Sequence, residues 1–98
     1  MRRMRTIRQS KEFKHNKRKL DRSGRYHIAM EKRLTPALIA LANDEPLDPS
    51  YYDHPLKGEM KGHRECHILF DLLLLYRYEG DDVLYLEALN THSETLGL

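Results

Sequence analysis

A chain of 98 residues, a third of them charged, has room for one thin core, and residues 1–98 are expected to form a single domain. No apolar run approaches the ~20 residues of a bilayer-spanning helix, and the opening MRRMRTIRQSKEFKHNKRK is too charged for a signal peptide. With Cys66 the one cysteine, a reducing, cytoplasmic setting away from membranes is expected. The net charge of +2 conceals a division: residues 1–33 hold thirteen Lys or Arg against three acids, and residues 34–98 hold four against twelve. So basic a block suits a phosphate-rich partner, and a solvated lysine-rich helix accounts for it equally well.

Met4 to Gln9, with Ile7 at its centre, predicts a short first strand. Ser10 is a good N-cap for a helix from about Lys11 to Arg22 in which Phe13 and Leu20 share one face, and Ser23 and Gly24 stop it. From Arg25 a second helical pattern sets Met30, Leu34, Ala37, Leu38 and Leu41 on one stripe. Pro36 interrupts that pattern, so a kink or short break is expected, with Thr35 as cap and Pro36 as first position of a renewed helix. Residues 43–58 read as a long loop. Three strands follow at about 63–69, 71–78 and 82–90, the last two joined by a hairpin turn at GluGlyAspAsp, 79–82. Period two in the last strand groups Leu84, Leu86, Ala88 and Asn90 against Val83, Tyr85, Glu87 and Leu89. The order β-α-α-β-β-β predicts an α+β fold: a mostly antiparallel four-stranded sheet with two helices packed on one face.

Four of the six histidines fall in the C-terminal half: His54, His63, His67 and His92. Imidazole exchanges protons near neutrality, and a tight turn between the strands would bring His67 and Asp71 to one sheet edge. His92 follows the last strand, four residues from Ala88 and on the same face, and His54 arrives by the long loop. A proton-transfer site is one reading. Zinc is another, with His54, His67, Asp71 and His92 as ligands, but none of the short paired spacings of zinc sites is present, so no metal and no cofactor are expected. Ser93 lacks a GxSxG elbow, Cys66 has no nucleophile motif, and neither GxxxxGK[ST] nor GxGxxG occurs. The plainer alternatives are a turn-stabilising His67–Asp71 hydrogen bond, an exposed His63, and Leu72 to Leu75 as a buried core strand.

DHPLKGEMKGHRECHI at 53–68, Asp71, LeuLeuLeuTyr at 73–76 and AsnThrHisSer at 90–93 resemble, in order and spacing, the YafQ branch of the RelE superfamily of bacterial toxins. The likeness covers residues 45–96; the N-terminal half agrees in element order and basic charge. It implies a ribosome-dependent endoribonuclease of a type II toxin-antitoxin system, cutting messenger RNA in the ribosomal A site and restrained by a DinJ-type antitoxin, with operator DNA bound only as the toxin-antitoxin complex. His54, His67, Asp71 and His92 match the family's active-site positions, and Leu96 falls where the family has a C-terminal Phe. The implied roles are Asp71 or His67 as base, His92 as acid and His54 orienting substrate, with Lys61 and Arg64 near the phosphate. Lys11, Lys14, Lys17, Arg18, Lys19 and Arg22 then supply contacts to ribosomal RNA or to an acidic antitoxin segment. Four positions depart from the pattern: Ala88 stands for arginine, Leu72 for tryptophan, Phe70 for proline and His63 for tyrosine. Without the arginine, Arg64 or Arg77 would have to stabilise the phosphate, or the chain is a weak enzyme, or Ala88 is an introduced change; the competing function is a non-catalytic module that binds RNA, ribosome or antitoxin.

Overall fold

The computed structural model describes residues 3–91. β1 (Thr6–Gln9) leads into α1 (Lys11–Asp21), whose start is fixed by Ser10: its Oγ accepts the Phe13 N–H at 2.9 Å. The Ser10 hydroxyl donates in turn to the Glu87 carbonyl at 2.5 Å, and Asn16 Oδ1 accepts the Leu89 N–H at 3.0 Å. β1 ends at Gln9, so these two side chains take over the backbone groups of the last strand that β1 no longer reaches. Phe13 and Leu20 are buried, as their shared face requires.

The next helical stretch shows no break at Pro36. α2 (His27–Ala29) runs into a π-helical turn, Met30–Leu34, and then into α3 (Thr35–Ala42). The Thr35 N–H reaches five residues back to the Met30 carbonyl, which also accepts the Thr35 hydroxyl at 3.1 Å. A proline ring collides with the carbonyl four residues earlier in an α-helix, and the wider π turn removes that collision without ending the helix. Thr35 is therefore helical rather than a cap, and the expected kink becomes a local change of register.

The long connection contains 3₁₀ turns at Pro49–Tyr51 and Gly58–Met60 and a two-residue strand between them, β2 (His54–Pro55). β3 (Arg64–Leu69), β4 (Leu72–Glu79) and β5 (Val83–Thr91) follow, with Gly80 at φ +58° in the hairpin turn. The sheet order is β1-β5-β4-β3-β2, with β1 parallel to β5 and the other pairs antiparallel. The α+β class holds, but the sheet has five strands and is mixed. The fifth is β2, an edge strand too short to leave a period-two signal and containing a proline, which only an edge tolerates.

The helices cover one face. Phe13, Leu20, Met30, Leu34, Ala37 and Leu41 pack against Ile68, Leu72, Leu74, Tyr76, Leu84, Leu86 and Leu89. Leu89 belongs to that core because β5 bulges at Glu87: Leu86 pairs with Tyr76, and Ala88 pairs with Leu75. The extra residue reverses the alternation, so Ala88 and Asn90 turn to the helix-free face while Leu89 joins Leu84 and Leu86, which corrects the expected grouping. A second irregularity, at Ile68, lies beside the tight turn through Phe70 and Asp71.

Candidate active site

The helix-free face carries His54 and His67. His54 pairs with Glu65 across β2 and β3, and His67 pairs with Leu73 across β3 and β4; paired residues share a face. His54 Nδ1 lies 2.6 Å from the Tyr52 carbonyl, which can only accept, so Nδ1 carries the hydrogen and donates it. Its Nε2 lies 3.6 Å from Glu65 Oε1. His67 has the same polarity: Nδ1 donates to the Phe70 carbonyl at 3.4 Å, which leaves the Nε2 lone pair for chemistry. The Tyr52 ring meets the His67 ring edge-on, with centroids 5.7 Å apart. Tyr52 sits at φ +48°, ψ +44°, a left-handed conformation that costs a non-glycine residue roughly 1–2 kcal/mol. That backbone sets both the carbonyl that holds His54 and the ring that abuts His67.

Both imidazoles line an open cleft of about 590 Å³, together with Arg33, Ser50, Tyr52, Leu69 and Phe70. Asp71 stands at the end of the turn that follows Phe70. Its Oδ2 accepts from Arg25 Nη2 at 2.6 Å and from the Tyr26 hydroxyl at 2.8 Å, so the loop between α1 and α2 clamps it. The residues of the clamp carry no motif, and the basic N-terminal block hides Arg25 among twelve other cations. Arg33, from the π turn, is fixed in the cleft wall by three contacts. Nε donates to the Ile68 carbonyl at 2.9 Å, Nη1 donates to Ser50 Oγ at 3.3 Å, and the guanidinium lies 3.8 Å from the Tyr51 ring centroid.

Other residues singled out by sequence lie apart. Arg64 pairs in register with the buried Tyr76, which puts it on the opposite face from His67; it donates to Asp53 Oδ2 at 3.1 Å and to the Tyr76 hydroxyl at 3.3 Å. Lys61 is exposed in the turn before β3. Ala88, 1 % exposed, faces the helix-free side opposite Leu75. His63 is not an exposed strand residue: its side chain is only 14 % exposed, with Nε2 3.5 Å from Glu87 Oε1, because the β5 bulge brings that carboxylate against it. Burial pushes the Cys66 thiol up to about 12, which makes it a structural thiol rather than a nucleophile. His92 and Leu96 lie outside the described residues. On α1, Lys11, Lys14, Arg18 and Lys19 are exposed, as is Arg22 at its C-cap, and Lys17 pairs with Asp21 at 2.8 Å. Among the described residues no group of three His, Cys, Asp or Glu side chains is placed to hold a metal ion, and no helix is long and apolar enough to cross a membrane.

The small α+β fold, helices over one face of a mixed sheet, is shared with small bacterial toxins. The family described as "Bacterial toxin of type II toxin-antitoxin system, YafQ" matches residues 5–97, and the chain belongs to it. The mRNA interferase toxin YafQ of Escherichia coli (strain K12) is 35 % identical over 71 residues, which is 72 % of this chain and 76 % of that one. A metal-bound toxin from Helicobacter pylori superposes with a TM-score of 0.80 at 40 % identity, covering 93 % of this chain and 98 % of that one. The E. coli DinJ-YafQ toxin-antitoxin complex gives a TM-score of 0.76 at 30 % identity, over 94 % and 97 %.

Proposed function

We propose that this chain is a ribosome-dependent messenger RNA endoribonuclease, the toxin of a type II pair, acting in the cytoplasm as one domain over residues 1–98. The observation that carries the reading is the convergence of His54 and His67, from separate strands, on one cleft beside the clamped Asp71.

RNA brings its own nucleophile. The ribose 2′-hydroxyl needs only to lose its proton, the phosphorus needs its added charge steadied, and the 5′-oxygen needs a proton as it departs. His67 suits the first task, since its Nδ1–H is committed to the Phe70 carbonyl and Nε2 keeps a lone pair. His54, held by the Tyr52 carbonyl, orients the ribose-phosphate, and Asp71 stands beside the site as the alternative base. His92 is assigned the proton that the leaving oxygen takes. Such acid and base groups each supply about 10² to 10⁴ in rate, and the product is a 2′,3′-cyclic phosphate. The basic ridge of α1 meets ribosomal RNA in the A site and, alternately, an acidic stretch of a DinJ-type antitoxin, with operator DNA bound by the pair.

Ala88 favours a second reading, a catalytically weak module that occupies RNA or antitoxin without cutting. Expression of the chain and of its His67→Ala and His92→Ala variants, with primer extension on a translated message, separates the two. Cleavage that disappears in both variants supports the nuclease; growth arrest unaltered by either favours the module.

A further inference from the structure

Among the described residues, two that are not glycine take a positive φ, Asp44 and Tyr52. Asp44 lies just past the end of α3, where a left-handed residue commonly closes a helix. Tyr52 follows a 3₁₀ turn, and a bulky side chain rarely accepts this conformation. It persists because both neighbours are pinned. On one side the buried Tyr51 donates its hydroxyl to the Arg33 carbonyl at 2.9 Å, and on the other Asp53 accepts from Tyr76 and Arg64. Tyr52 absorbs the turn of the chain between these two anchors. Its own side chain is 70 % exposed, so the core does not need the ring.

The strained residue touches two imidazoles, and they are restrained unequally. His54 is oriented at both nitrogens, with the Tyr52 carbonyl 2.6 Å from Nδ1 and Glu65 Oε1 3.6 Å from Nε2. His67 has one hydrogen bond, to the Phe70 carbonyl, and at 3.4 Å it is long and weak. A half-turn of that ring about its Cβ–Cγ bond would put Cδ2 where Nδ1 stands and Cε1 where Nε2 stands. Carbon offers no lone pair to a 2′-hydroxyl. The other directional contact that His67 makes among the described residues is the Tyr52 ring, with centroids 5.7 Å apart and planes at 71°.

Resting on the nuclease reading, we infer that Tyr52 is a positioning residue: its left-handed backbone holds His54 through the carbonyl, and its ring keeps the weakly bonded His67 turned with Nε2 available as base. One residue thus ties both imidazoles to the same loop. The two tasks separate by substitution. Asparagine tolerates the left-handed backbone and has no ring, whereas β-branched valine lacks the ring and resists that backbone as well.

The test reads the two tautomers directly, from the ring nitrogen chemical shifts of His54 and His67 in the isotopically labelled chain at about pH 8, where ordinary imidazole is neutral. Cleavage of a translated message is followed on the same samples. The parent should show the proton on Nδ1 in both rings. In Tyr52→Asn, His54 should keep that signature while His67 moves to a mixture of forms. Its kcat should fall about two- to tenfold at an unaltered KM, the population change that one aromatic contact controls. In Tyr52→Val both signatures should be lost and kcat should fall further; if that variant does not fold, Tyr52→Asn alone decides. A His67 signature unaltered in Tyr52→Asn, a His54 signature lost there, or a parent with the proton on Nε2 of either ring overturns the assignment. Cleavage by a parent whose tautomers ignore Tyr52 removes only this inference. Tautomers that respond as expected in a chain that never cleaves remove only the nuclease.

Discussion

Tyr76→Phe takes one oxygen from the core and reports on how His54 is held. Tyr76 is fully buried; its hydroxyl donates to Asp53 Oδ1 at 2.5 Å and accepts from Arg64 Nε at 3.3 Å, while Arg64 Nη2 closes the triangle on Asp53 Oδ2 at 3.1 Å. Phenylalanine keeps the ring and its edge-on contact with Tyr78, centroids 5.9 Å apart, so packing is preserved. A hydrogen bond to a charged group contributes about 1.5–3 kcal/mol. The Asp53 side chain retains 21 % exposure, so water can replace part of the loss, and the lower end, about 1.5–2 kcal/mol, is expected. For a domain of this size that lowers Tm by roughly 6–16 °C. Asp53 immediately precedes His54 in the two-residue β2, so cleavage should fall as well, although the substitution lies on the far face of the sheet. Urea melts at neutral pH with primer extension on the same samples supply the assay. A loss below about 0.5 kcal/mol would show the triangle to be a solvated surface contact that does not hold β2 in place.

Alkaline pH should destabilise the fold in two stages. Burial raises the Cys66 thiol from 9.0 to about 12 and raises the Tyr76 hydroxyl above its ordinary 10.0. Both are neutral in the native state, so stability is full below pH 9, declines as the unfolded thiol ionises above 9, and declines further above 10; the thiol alone accounts for roughly 4 kcal/mol by pH 12. Cys66→Ala should remove the first stage in pH-dependent melts, and an unchanged slope would contradict it. The same burial predicts that Ellman's reagent leaves the native thiol untouched and modifies it in guanidinium. Tyr26→Phe should lower cleavage about tenfold by freeing one side of Asp71, with stability kept within about 1 kcal/mol; equal rates would make the clamp structural. Ala88→Arg should cost about 1–3 kcal/mol of stability because the site is buried, and an unchanged urea midpoint would mean that the longer side chain is accommodated without strain.

Elements whose signals are local were legible in the sequence. Ser10, Phe13 and Leu20 define α1 by cap and spacing, and Gly80 marks the hairpin because its positive φ is needed there. Features that depend on partners were not. β2 exists only because Glu65 and Arg64 offer it an edge. The bulge at Glu87 leaves no mark in the alternation Leu84, Leu86, Ala88, and Pro36 announces a disturbance without saying whether the helix breaks or widens. At the candidate site, His54, His67 and Asp71 were marked by the YafQ resemblance. Arg25, Tyr26 and Arg33 were not, since their contacts join residues 46, 45 and 35 positions apart.

If His54 and His67 govern attack by the RNA's own 2′-hydroxyl, the ends of the cleaved message carry the signature. Mapping those ends should give 2′,3′-cyclic phosphate and 5′-hydroxyl at codons in the A site, no cleavage where the attacking nucleotide is 2′-deoxy, and none from the His54→Ala, His67→Ala double variant. Fragments bearing 5′-phosphates and 3′-hydroxyls, or cutting that persists at the deoxy position, would contradict it.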